Sequence, residues 1–289
     1  MMTESLQKGL QMGAKDGNRE MSQDGHDITA ASEMPSGGWG IRGWLSAIYR
    51  RIHDVNVIGR EPWDKLGFNA AATVDEIISP QGGDYVFPDV EQQMHVIGGT
   101  EDTAGGTGIR TLTIYYLDGL YAEKSVDVIL TGTTAAVTLV SDIFRVQSVR
   151  AKTVGSGGAA DGNISIENAA ETITYGYIEQ GYNRQRQLAW TVPAGKILYI
   201  DEMNASAINT AANKYCIIEV KATYDDKAGI ALPPGVYMVY SEIGLASNAI
   251  PMSSFRPLVF VTGTDLLATA TGNSTATVTV GLRGWLEKA

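Results

Sequence analysis

From about residue 93 the apolar positions recur every second residue. Thr111-Leu112-Thr113-Ile114-Tyr115-Tyr116 alternates, and so does Ser125-Val126-Asp127-Val128-Ile129-Leu130. That period belongs to strands with one face in a core and the other in water. Between the runs, Leu117-Asp118-Gly119-Leu120 supplies the Asp-Gly signal of a hairpin turn. Further strands are predicted over residues 144–152, 163–167 and 172–178. A second series begins near residue 186. Leu188-Ala189-Trp190-Thr191-Val192 meets the turn Pro193-Ala194-Gly195, and Lys196-Ile197-Leu198-Tyr199-Ile200 continues. Strands over 215–224, 236–241, 258–262, 265–270 and 276–282 follow. Short strands with regular turn signals predict a mainly β protein of one or two antiparallel β-sandwich or jelly-roll domains.

The residues before 93 follow other patterns. Residues 1–40 are polar and aperiodic and read as an extended or flexible arm. Trp44, Leu45, Ile48 and Ile52 then recur at helical spacing, with Arg50 and Arg51 off that stripe. The spacing predicts an amphipathic helix of about three turns, too short to be stable without an apolar partner. Its own β-domain or a neighbouring subunit would serve. Turn signals at Glu61-Pro62, Ser79-Pro80-Gln81-Gly82-Gly83 and Phe87-Pro88 mark residues 59–90 as a connector. Trp63, Phe68, Tyr85 and Phe87 lie along it, so an ordered strap pinned by aromatics is expected. The division is thus an arm over 1–40, helix and strap over 41–92, a first β-domain over 93–183 and a second over 184–289. One short echo pairs Ile41-Arg42-Gly43-Trp44-Leu45 with Leu282-Arg283-Gly284-Trp285-Leu286.

Composition sharpens this reading. The chain is 44% hydrophobic, with 33 Gly and 9 Pro in 289 residues, which excludes wholesale disorder and favours strands joined by turns. The net charge is −10, all of it beyond residue 60, because residues 1–60 hold equal numbers of acids and bases. An acidic body argues against direct nucleic-acid binding, which needs Lys and Arg to neutralise phosphates. No apolar run nears the roughly 20 residues that cross a bilayer, and no hydrophobic leader follows Met1, so neither membrane nor secretion is expected. Cys216 alone cannot form an internal disulfide and reads as a small buried hydrophobe, which suits a reducing cytoplasm.

Candidate chemistry is sparse. His26, His53 and His95 show no ligand-spaced pair. Gly105-Gly106-Thr107-Gly108 lacks the Gly-Lys-Ser/Thr ending of a phosphate loop and reads as a flexible turn. The loop from Gly155 to Gly162 reads as mobile. Glu101-Asp102, Asp201-Glu202 and Asp225-Asp226 read as solvated turns. No catalytic residue, metal site or cofactor is expected, and an enzyme is the least favoured reading.

Several stretches together resemble a group of tailed-phage virion structural proteins. They are Trp63 with Asp75-Glu76-Ile77-Ile78, Gly82-Gly83-Asp84-Tyr85 and Phe87-Pro88, then the run from Thr103 to Ile114. Leu117-Asp118, Leu130-Thr131-Gly132-Thr133-Thr134, Gly155-Ser156-Gly157-Gly158, Thr191-Val192-Pro193-Ala194-Gly195-Lys196 and Gly284-Trp285-Leu286 complete the series. The resemblance spans residues 63–289. It implies a structural role without catalytic residues, self-association as a trimer, and a virion assembled in the host cytoplasm. A capsid decoration or head-associated protein is the first expectation. The alternatives are a neck, portal-adjacent or tail (fibre or baseplate) component, or a carbohydrate-binding β-sandwich. Partners would be other copies of the chain and virion proteins such as a major capsid protein. The expected assembly interface is Trp44, Leu45, Ile48, Arg50, Arg51, Ile52 and Trp63, a locally basic and apolar segment ahead of an acidic body.

Overall fold

A computed structural model describes residues 60–289, apart from Leu139, residues 210–213, 226–228, Pro234 and residues 246–248. The described residues form strands and no helix. In chain order these are β1 (Arg60–Ala72), β2 (Glu76–Ile77), β3 (His95–Ile97), β4 (Ile109–Leu117), β5 (Glu123–Ile129), β6 (Ala136–Val137), β7 (Arg145–Val154), β8 (Ile164–Glu167) and β9 (Thr174–Ile178). The series continues with β10 (Ala189–Thr191), β11 (Lys196–Asn209), β12 (Cys216–Ala222), β13 (Tyr224–Asp225), β14 (Ile230–Ala231), β15 (Met238–Leu245), β16 (Ala249–Val261), β17 (Asp265–Gly272) and β18 (Ala276–Lys288). The mainly β expectation holds, and the strands predicted over 111–116, 125–130, 144–152, 215–224, 265–270 and 276–282 fall on β4, β5, β7, β12, β17 and β18.

The strands enclose two principal cores. Sheets β6-β3-β8-β9 and β5-β4-β7 bury Leu112, Ile114, Val146, Val149, Ile164, Ile166 and their neighbours. Sheets β1-β18-β11-β16 and β10-β17-β12-β15 bury a larger cluster, with Trp190, Leu198, Ile218, Phe260, Val278 and Val280. All registered pairings among the strands are antiparallel. Asp118 closes the predicted hairpin, its Oδ1 accepting the N–H groups of Leu120 and Ala122. In the sheet order β16 lies at an edge, which suits Pro251 and Pro257, since neither can donate to a further strand.

The connector expected over residues 59–90 is corrected in its first part. Residues 60–72 are a strand, β1, paired with the last strand from Arg60↔Glu287 to Asn69↔Val278. The described part of the chain therefore starts in the second core, leaves to build the first, and returns. The alternation is hidden because the core-facing positions of β1, an edge strand, hold Lys65, Gly67 and Asn69 beside Trp63, while Leu66 and Phe68 lie on its outer face. Gly67 is required there: a Cβ would collide with Leu188 and Ile78. The later part of the connector is a strap with a short strand. β2 pairs with β17, and Phe87 is buried with Ile77, Ala189 and Leu267, with Tyr85 and Tyr237 packed alongside.

Candidate functional site

Of the residues expected at an assembly interface, Trp44, Leu45, Ile48, Arg50, Arg51 and Ile52 lie outside the described residues. Trp63 is 7% exposed. It sits on the core side of β1, its ring edge-on to Trp190 with centroids 5.2 Å apart. Trp63 is a core residue of the second sandwich.

The most elaborate polar construction lies where the two cores meet. Arg145 opens β7 and Asp265 opens β17, 120 residues apart, and their side chains are 2% and 6% exposed. The guanidinium reaches the carboxylate with two parallel bonds, Nε to Oδ1 at 2.9 Å and Nη2 to Oδ2 at 3.0 Å. Nη1 donates to the carbonyls of Pro88 and Phe144. The Phe144 ring lies 3.9 Å from the guanidinium carbon and Phe87 lies 5.4 Å away. Thr191 donates its hydroxyl to Asp265 Oδ1, and the Asp265 N–H is held by Thr223 Oγ1 at 2.9 Å. Each charge is thus paired and its remaining hydrogen-bonding capacity largely used, the condition for keeping ions in a core. Burial pushes the Tyr237 hydroxyl up to about 12, reinforced by the Asp265 carboxylate. Beside this pair, the Gln147 amide mimics a strand backbone. Its Oε1 accepts the Thr191 N–H at 3.0 Å and its Nε2 donates to the Thr191 carbonyl.

Lys65 reaches the same seam from β1. Its ammonium donates to the Gln147 carbonyl. Four described lysines hold carboxylates: Lys124 with Asp118 and Asp142, Lys152 with Asp127, Lys196 with Glu61, Lys221 with Asp75 and Glu219. Lys65, half-buried, has a carbonyl instead. Desolvation, aided by the Arg150 guanidinium and opposed by Asp64, lowers its pKa to about 7. Lys65 also lines a small apolar cavity with Trp63, Leu188, Trp190, Leu266 and Leu282.

A second polar hub organises the glycine-rich loops, and here two expectations are corrected. Asp102 is fully buried rather than a solvated turn residue. Its Oδ1 accepts the N–H groups of Ile109 at 2.7 Å and Asp161 at 3.0 Å. Its Oδ2 accepts those of Gly99 at 2.8 Å and Gly162 at 3.1 Å. The loop expected to be mobile is tied down by these bonds and by Gly155 and Gly157, which donate to the carbonyls of Gly108 and Thr107. Gly99 and Gly162 face each other so closely that a Cβ on either would strike the other backbone. The glycines serve close approach, and Asp102 gathers the donors that this approach exposes. Asp201 is also buried, at the bulge of β11 between Ile200 and Glu202.

On the outer surface, Arg150 of β7 and Arg184 are directly opposite in an antiparallel bridge, so their side chains share one face. Both are exposed. Arg60, Arg145, Arg186 and Arg283 each hold a carboxylate. Arg150 instead touches only Ser148 Oγ, at 3.4 Å, and lies 5.7 Å from the Tyr115 ring centroid. Neither Arg150 nor Arg184 has an ion pair among the described residues.

The remaining candidates are quiet. Cys216 is fully buried, as expected, and burial pushes its thiol up. His95 Nδ1 lies 3.0 Å from Glu171 Oε1. Among the described residues no group of three His, Cys, Asp or Glu could hold a metal ion. The Arg145–Asp265 pair, the Asp102 hub and the Arg150–Arg184 bridge join residues distant in sequence, and no local motif marks them.

No protein-family model matches the chain, and no curated protein sequence does. Among solved structures, the chain is similar to that of infectious bursal disease virus Gx strain, at 9% identity over 82% of this chain and 73% of that one, with a TM-score of 0.23. The crystal structure of the infectious bursal disease virus VP2 subviral particle is similar at 10% identity, over 80% and 76% of the two chains, with a TM-score of 0.19. Superpositions at that level do not establish a common fold.

Proposed function

We propose that this chain is a non-enzymatic structural protein of a tailed-phage virion, a capsid decoration or head-associated protein that grips the capsid through its N-terminal region. The observation that carries this reading is the seam at Arg145 and Asp265, which joins two β-cores within one compact unit over Arg60–Ala289. A particle component must survive outside the cell, and here the cross-links are buried bonds instead of disulfides. The Asp102 hub serves the same end by fixing loops that glycine would otherwise leave mobile. The resemblance to tailed-phage virion proteins supports the setting. The basic, apolar segment around Trp44, Ile48, Arg50 and Arg51 supports the mode of attachment, since it precedes a body that carries the full −10. Partners on this reading are other copies of the chain and a major capsid protein, assembled in the host cytoplasm into the virion.

The test is a variant with Trp44→Ala and Ile48→Ala, assayed for folding and for incorporation into particles. Loss of incorporation with the β-fold intact is the expected result. Incorporation at the native level would remove the attachment role from this segment.

A further inference from the structure

An acidic body that places two arginines opposite each other, with no carboxylate paired to either among the described residues, carries a local repulsion there. Cross-strand like charges are unfavourable. The bridge between Arg150 and Arg184 is such a pair. Lys65 lies near enough for Arg150 to disfavour its charged form. The surroundings are aromatic as well as basic. Tyr115 lies under Arg150 and is 43% exposed; Tyr182, two residues before Arg184, is 42% exposed. Arg186 stacks on Tyr182 at 3.6 Å and on Phe68 at 4.4 Å, and its charge is taken by Glu179. The stacked Arg186 holds the Tyr182 ring in place.

Two guanidinium forks set opposite each other in an isolated antiparallel bridge, with no ion pair among the described residues, suit a carboxylate, sulfate or phosphate group that accepts from both. Exposed tyrosines beside them offer flat apolar faces with a polar tip, a surface on which the C–H face of a sugar ring packs. We infer that the outer face formed by Tyr115, Arg150, Tyr182 and Arg184 binds an anionic carbohydrate, a polysaccharide bearing uronate or sulfate groups. A glycan fits better than a nucleic acid. Single-stranded nucleic acid brings a charge with every nucleotide against a chain of net −10, whereas a glycan can bring one charge per several sugars to a single pair of arginines. The site stands apart from the attachment role proposed for the N-terminal region, and either can fail without the other.

The experiment titrates the full chain with polygalacturonate, dextran sulfate, neutral dextran and poly(dT), following binding by calorimetry. Both acidic glycans bind, and neutral dextran does not. Arg150→Ala with Arg184→Ala weakens binding by about tenfold or more, as expected for two charge-assisted donors. Because both arginines are exposed and repel each other, that variant keeps its circular dichroism and its urea midpoint. Tyr115→Ala with Tyr182→Ala also weakens binding to polygalacturonate, which a purely ionic contact would not require. The inference is overturned if neither acidic glycan binds, if the arginine variant binds them as tightly as the native chain, if the tyrosine variant is unaffected, or if poly(dT) binds more tightly than either glycan.

Discussion

Removing one member of the buried Arg145–Asp265 pair should damage the fold more than removing both. In Asp265→Ala the guanidinium keeps the Pro88 and Phe144 carbonyls and the Phe144 ring but loses both carboxylate bonds, while the Thr191 hydroxyl loses its acceptor. Breaking a buried pair in this way costs about 3–5 kcal/mol, because a charge is left without compensation. A domain is stable by only about 5–15 kcal/mol, so the loss is a large share of the total. The double variant Arg145→Met with Asp265→Leu puts apolar groups of similar bulk at the same seam, and such replacements are often close to neutral. Urea denaturation followed by tryptophan fluorescence reads both, since Trp63 and Trp190 pack together in the second core. The double variant should unfold at a higher urea concentration than Asp265→Ala. A single substitution costing less than about 1 kcal/mol, or a double variant less stable than Asp265→Ala, would refute the claim that this ion pair joins the two cores.

Lys65 gives the fold a pH dependence whose sign follows from its lowered pKa of about 7. The unfolded chain holds this proton up to about pH 10.5, so stability rises from pH 7 to 10.5 and the full penalty is present below 7. Lys65→Met should remove that rise and stabilise the protein at pH 7 by on the order of 2 kcal/mol, allowing for water at the half-buried stem; parallel urea curves for the two proteins at pH 7 and 10 would contradict it. Asp102→Ala strands four backbone donors at about 1–3 kcal/mol for each left buried, so amide exchange in residues 99–109 and 155–162 should accelerate strongly, and unchanged protection would contradict the hub. The buried, raised thiol of Cys216 should resist a thiol reagent in the native protein and react at once in urea; rapid labelling of the native state would contradict its burial.

Strands with one buried face were legible because burial writes itself into the chain at every second position. The β4–β5 hairpin was readable for that reason and because Asp118-Gly119 has few other uses. β1 was not, since its core-facing side carries Lys65, Asn69 and a glycine fitted against Leu188, and Leu66 stands on the outer side, so the alternation is lost. The polar sites were illegible for a different reason. Asp102 bonds to backbone N–H groups, which every residue but proline owns, so no neighbouring residue type betrays it. Arg145 and Asp265 are 120 residues apart, and Arg150 meets Arg184 only because residues 183–185 bridge to β7 through backbone hydrogen bonds with Val149 and Ala151. Cys216 was read correctly because the apolar run around it already implies a core.

A built-in part of a virion stays with the particle when phage are purified. Immunogold labelling of purified phage particles, with antibody raised against residues 60–289, tests most directly whether this chain does so. Gold on intact particles, repeated over the head surface, is the expected result. Particles that carry no label, while the same antibody detects the chain free in the lysate, would contradict the virion role.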